Sequence, residues 1–231
     1  MEDPIEAQPQ GAGETPKSEL SQDPSPAAWL ARGIEDVYYQ REAQVTWWTI
    51  LGGIAVGALV TQLADVISQV QAGRWWLVLY FVATALIISL SWVQTTWGTL
   101  VVRWPISVVT ALLSFFGGMS QSILSLQVTK PSAWLVAAFM VALTSVLYQT
   151  YFQASGAWVA FGPEYAARLK SVVWMHGAFG GAALAGALLL RRYPGPTHEM
   201  LWGFFALSVM LAATWLQDRG MKMERSMLHI P

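Results

Sequence analysis

Residues 46–69 read TWWTILGGIAVGALVTQLADVISQ, with Asp65 as the one charged side chain in the run. About 20 apolar residues wound as a helix cross the ~30 Å hydrocarbon layer of a bilayer. The stretch therefore predicts a first membrane span. Its small and polar residues are not scattered. Gly53, Gly57, Thr61, Asp65 and Ser68 recur at steps of four, four, four and three, which places them on one helix face. The glycine end of that face suits close approach of another helix. The acidic end is a candidate site, because an ionisable group at membrane depth is costly and ordinarily faces protein or water.

Five more apolar segments follow, at 75–98, 104–127, 132–153, 169–190 and 199–217. Between them lie Gly73-Arg74, Arg103-Trp104-Pro105, Lys130-Pro131, Gly162-Pro163 and Tyr193-Pro194-Gly195-Pro196, all turn signals. The expected fold is an all-α integral membrane protein: six transmembrane helices in a short-looped bundle, sequential helices antiparallel. The connection from Ala154 to Arg168 is longer, and its Trp158, Phe161 and Tyr165 suggest a loop lying along the interface.

The rest of the chain fits around that bundle. Of 231 residues, 55% are hydrophobic and 12% charged, against about 25% charged in a typical soluble domain. Residues 1–45 carry nine acids and three bases, whereas 46–231 carry five acids and ten bases. Residues 1–26 are acidic and rich in Pro, Gly, Ser and Gln, which predicts a disordered tail rather than a secretory signal. Insertion would then be directed by the first span. Ser25-Pro26 is a helix-start signal, and Leu30, Ile34, Val37, Tyr38, Arg41 and Val45 follow at helical spacing. Residues 27–45 thus predict an amphipathic helix at the membrane surface, with subunit docking as its alternative use. Residues 218–231 alternate Met with charged residues and predict an interfacial tail.

Lysines and arginines near the span ends set orientation. With the N-terminus inside, Arg32, Arg41, Arg103, Arg168, Lys170, Arg219, Lys222 and Arg225 face the cytoplasm, and Arg74, Lys130, Arg191 and Arg192 face away. Eight against four places both termini in the cytoplasm, and the expected location is the plasma or inner membrane of a prokaryote. Most of the 13 tryptophans fall at span ends, where an indole sits half in lipid. Trp92 and Trp174 lie deeper and are expected to fill space between helices, with the lining of a pigment or lipid site as the alternative.

Polar stripes run along several spans. The third carries Ser107, Thr110, Ser114, Gly117, Gln121 and Ser125; the second carries Thr84, Ser91, Thr95 and Gly98, with Gln94 beside them; the fourth carries Thr144, Ser145, Tyr148 and Gln149. Helix packing through hydroxyl and small residues explains such stripes. A cation, proton or solute path is the sharper reading, with Asp65, Thr61, Gln121, Ser114, Gln94 and Gln149 along it. By depth, Asp65 and Gln121 fall in an outer layer, and Gln94, Gln149 and His176 in an inner one. Gly177 and Gly181 on the fifth span repeat the spacing of Gly53 and Gly57, and all four are expected to pack helices within the protomer or between protomers.

Familiar chemistry is missing from the sequence. There is no cysteine, which excludes disulfides, thiol catalysis and cysteine-ligated metals. His198-Glu199 begins like a zinc-protease helix, but Trp202 stands where the second histidine belongs. No metal site and no resident cofactor is expected; a single axial ligand to haem or chlorin at His176 is the one option the spans offer. The spread of basic residues does not indicate nucleic acid. These features predict a non-enzymatic integral membrane subunit or scaffold, with lipid and other membrane subunits or copies of itself as partners. The alternative is a small oligomeric ion or solute channel or transporter with its polar path around Asp65 and Gln121.

Overall fold

The computed structural model describes residues 34–100, 106–156 and 162–227. The expected acidic tail 1–26, the helix start at Ser25-Pro26, the Arg103-Trp104-Pro105 turn and the aromatics Trp158 and Phe161 lie outside them. The chain divides into two units, Met1–Glu35 and Asp36–Pro231, and every contact given below lies within the second.

Every described element is a helix: α1 (Ile34–Thr61), α2 (Leu63–Gln71), α3 (Leu77–Leu100), α4 (Val108–Leu126), α5 (Pro131–Ala154), α6 (Gly162–Arg192) and α7 (Pro196–Met227). With α1 and α2 taken as one rod from Arg41 to Gln71, six helices are long and apolar enough to cross a membrane. This is consistent with an integral membrane protein. α1 and α2 are separated at Gln62, whose N–H bonds back three residues to Leu59 O at 3.1 Å, a local 3₁₀ tightening.

The ends of the rods differ from the sequence expectation in three places. The described part of the expected surface helix 27–45 runs into the first span without a break, since no Gly or Pro interrupts the ladder between Ile34 and Gly52. The fifth span starts at Gly162 rather than 169, because Gly162 takes φ +83° and Pro163 follows at the first helical turn. The expected interface loop is thus helical from Gly162 on. The sixth helix continues to Met227, so the described part of the expected C-terminal tail extends it.

Turns are built locally. After α2, Gly73 at φ +94° allows its own N–H to reach Val70 O and the Arg74 N–H to reach Gln69 O, both at 2.9 Å. This pair closes the helix as a Schellman motif. At the start of α4, Ser107 Oγ accepts from Thr110 N–H and Thr110 Oγ1 accepts from Ser107 N–H, a reciprocal capping box.

α3 and α5 form the middle of the bundle. α5 is flanked by α4 and α6 in antiparallel hairpins, and α3 lies along α7. Those two run parallel: Trp76 and Tyr80 near the start of α3 bond to Glu199 near the start of α7, and Trp97 near the end of α3 bonds to Glu224 near the end of α7. Two contacts need glycine. A Cβ at Gly118 would come within 2.8 Å of Leu51 Cβ on α1, and one at Gly186 would come within 2.8 Å of the Trp202 ring on α7.

The dense part of the core surrounds Trp134, which is 0% exposed. Its indole N–H donates to Thr84 Oγ1 at 2.8 Å, Thr84 Oγ1 donates to Tyr80 O at 2.7 Å, and Tyr80 O–H donates to Glu199 O at 2.6 Å. Leu77, Leu124, Leu135 and Ala138 pack around this chain of bonds. The core around Trp134 is therefore apolar, with its few polar groups satisfied. Trp174 is 78% exposed and Trp92 is also exposed, so neither fills the interior as expected.

Candidate functional site

The half of the bundle toward Arg168 is built differently. α1, α3, α4 and α5 leave a cavity of about 40 Å³ between them, lined by Trp48, Ser91, Gln94, Thr95, Gln121, Thr144, Ser145, Tyr148 and Gln149 with Leu113, Gly117 and Val141. Gly117 makes room for the Trp48 ring, since a Cβ there would sit 3.3 Å from Trp48 Cη2. The hydroxyls of Thr144 and Ser145 donate to their own helix at Met140 O and Val141 O. Their oxygens keep lone pairs for the cavity. The Tyr148 phenol oxygen Oη accepts from Gln44 Nε2 at 3.3 Å.

Two groups at this cavity have no hydrogen-bond partner among the described residues. They are the Trp48 indole N–H and Gln149 Oε1, on side chains that are themselves buried. One is a donor and the other an acceptor. A buried polar atom left unpaired costs about 1–3 kcal/mol, so the pair marks a place where small hydrogen-bonding molecules belong.

A second cavity of about 30 Å³ shares Gln94 and Gln149 with the first and continues to Trp97, Arg168, Gln217 and Glu224. Here α6 and α7 are clasped. Arg168 Nη1 pairs with Glu224 Oε1 and donates to Gly220 O at 3.0 Å, while the Trp97 indole N–H donates to Glu224 Oε2. Arg225 lies 5.3 Å over the Trp97 ring. At the opposite end, Arg74 Nη2 pairs with Glu199 Oε2 at 3.0 Å, and the Trp76 indole N–H donates to the same oxygen at 3.0 Å. Glu199, met in the sequence beside His198 as a failed zinc motif, thus ties α7 to the start of α3.

The structure gathers some predicted residues and separates others. Gln94, Gln121 and Gln149 converge on one cavity, where the depth estimate put Gln121 in a different layer. Ser114 is buried nearby on α4 and donates to Thr110 O at 2.7 Å, but it does not line the cavity. Asp65 is exposed on α2, and Thr61 is exposed on α1 with its hydroxyl on Ala58 O. Asp65 and Gln121, set in one layer by depth, do not share a site, because Leu51, Ala55, Leu59 and Val66 carry the inward face of this rod and Asp65 lies off it. His176 Nδ1 lies 2.8 Å from Val172 O one turn back on its own helix, and its side chain lines neither cavity.

Of the two uses expected of the glycines, packing within the protomer and packing between protomers, the first is not made by Gly53, Gly57, Gly177 or Gly181. Gly53, Gly57, Gly177 and Gly181 have nothing within 4 Å of a would-be Cβ, so among the described residues they pack against no helix of this chain. Gly118, Gly180 and Gly186 do that work, with Ala142 Cβ at 3.0 Å in the case of Gly180.

No protein-family model matches the chain, and neither a curated protein nor a solved structure is significantly similar to it. The site is read from its chemistry alone. Sequence reasoning passed over Trp48, Arg168 and Glu224: the tryptophan was assigned to a membrane interface, and the two charges were assigned to a loop and a tail. No spacing rule links Arg168 to Glu224, since they come from different helices.

Proposed function

We propose that the protein is a non-enzymatic integral membrane subunit that docks a transmembrane helix of a different chain on the outward face of its first span. The observation that supports this reading is the position of Gly53, Gly57, Thr61 and Asp65, a smooth glycine face ending in a carboxylate, all exposed. Glycine inside a helix sacrifices roughly 1 kcal/mol relative to alanine, and a carboxylate facing hydrocarbon costs more. A partner helix lying against the glycines and offering Asp65 a hydrogen-bond donor offsets both. The proposed orientation follows the basic residues, with Arg168, Lys170, Arg219, Lys222 and Arg225 at the cytoplasmic end of a prokaryotic inner membrane.

A photo-crosslinking residue placed at Gly57 tests the docking face. It should form one crosslink to a co-purifying membrane chain, whereas the same probe at Leu112, on an exposed face of α4, should not. Equal behaviour at the two positions would refute the docking face. The solute-path reading keeps Gln94, Gln121 and Gln149 but loses Asp65. It rests on the two polar cavities that share Gln94 and Gln149, and flux through the purified protein in liposomes tests it.

A further inference from the structure

We propose that the two polar cavities form a single one-sided vestibule that holds water, entered at the Arg168–Glu224 end and stopped at the Trp134 core. Size, chemistry and continuity support it. A water needs roughly 10–15 Å³ of such space, and the cavities offer about 40 and 30 Å³, enough for a few waters and too little for an organic solute. The unpaired groups are one donor, Trp48 Nε1–H, and one acceptor, Gln149 Oε1. Water satisfies both at once, whereas a bare cation satisfies only the oxygen and repels the indole N–H.

Formal charge agrees. The polar groups lining the first cavity are neutral amides, hydroxyls and an indole, and at the second Glu224 is neutralised by Arg168. Gln94 and Gln149 line both cavities, so a water file can pass from one to the other along their amides. Toward the other end, Leu124, Leu135 and Ala138 are 0% exposed, and the cavity of about 340 Å³ beside Gln127, Met140 and Arg191 shares no lining residue with these two. The vestibule shares its location with the solute-path reading but requires no transport, so a negative flux result leaves it standing.

The absence of cysteine from the chain permits a direct test with Ag⁺, a thiol-reactive ion small enough to travel through water-filled passages. Single variants Ser91→Cys and Ser145→Cys, each nearly isosteric, are exposed to Ag⁺ from one face of sealed vesicles, washed, denatured and labelled with a maleimide dye. Lys222→Cys and Thr197→Cys mark the two faces, and Ala138→Cys reports the closed core. Ag⁺ applied on the Lys222 face should abolish labelling of Ser91→Cys and Ser145→Cys, and Ag⁺ on the Thr197 face should leave it intact. If both variants stay as fully labelled as Ala138→Cys from either face, the cavities are dry and the proposal fails. Blocking from the Thr197 face alone would overturn the assigned entrance.

Discussion

Replacing Glu224 by Gln probes the clasp at the mouth of the cavities. The substitution keeps a side-chain oxygen for the Trp97 indole and removes the charge facing Arg168. Side-chain exposure is 20% at Arg168 and 9% at Glu224, so the guanidinium is left mostly out of water without a counter-ion. Breaking a fully buried pair from one side costs about 3–5 kcal/mol. Discounted for the water that reaches Arg168, about 2 kcal/mol is expected. In a chain of this size each kcal/mol moves the midpoint by roughly 2–4 °C, so thermal unfolding in mild detergent should shift down by about 4–8 °C. Arg168→Met combined with Glu224→Met should recover much of the loss, since removing both charges leaves neither one stranded. A single variant that melts with the wild type, or a double variant worse than the single, would refute the reasoning.

Two further outcomes follow from the same packing. Gly118→Ala should destabilise by about 1–3 kcal/mol through overpacking against Leu51, whereas Gly53→Ala should leave the isolated protomer unchanged or slightly more stable; equal effects in thermal unfolding would contradict the placement of the two glycines. Thr84→Val should cost about 1–3 kcal/mol by stranding the buried Trp134 indole N–H, and a melting point unchanged in that variant would remove the Trp134–Thr84–Tyr80 chain from the account of the core.

Hydropathy located six helices long and apolar enough to cross a membrane, because each is a near-continuous apolar run. The ends were less legible. Gly162–Arg168 and Asp218–Met227 are too polar to register as membrane segments, yet the hydrogen-bond ladder continues through them. The hydroxyl and amide stripes were readable helix by helix, and three of their glutamines do meet. What periodicity cannot give is the rotation of a helix with two usable faces. On the first span the small-residue stripe looked inward, but Leu51, Ala55, Leu59 and Val66 form a second stripe at compatible spacing, and that one is buried. Parallel pairing of α3 with α7 was invisible too, since it depends on Trp76, Trp97, Glu199 and Glu224 meeting across more than a hundred residues.

The claim that the exposed face of α1 serves a larger assembly is tested most directly by native mass measurement after gentle extraction from the membrane. The predicted result is a complex holding this chain and a different membrane chain in fixed ratio, lost when Gly53 and Gly57 are both replaced by Leu while the protomer stays folded. A monomer, or a series of simple multiples of the protomer mass untouched by those substitutions, would contradict it.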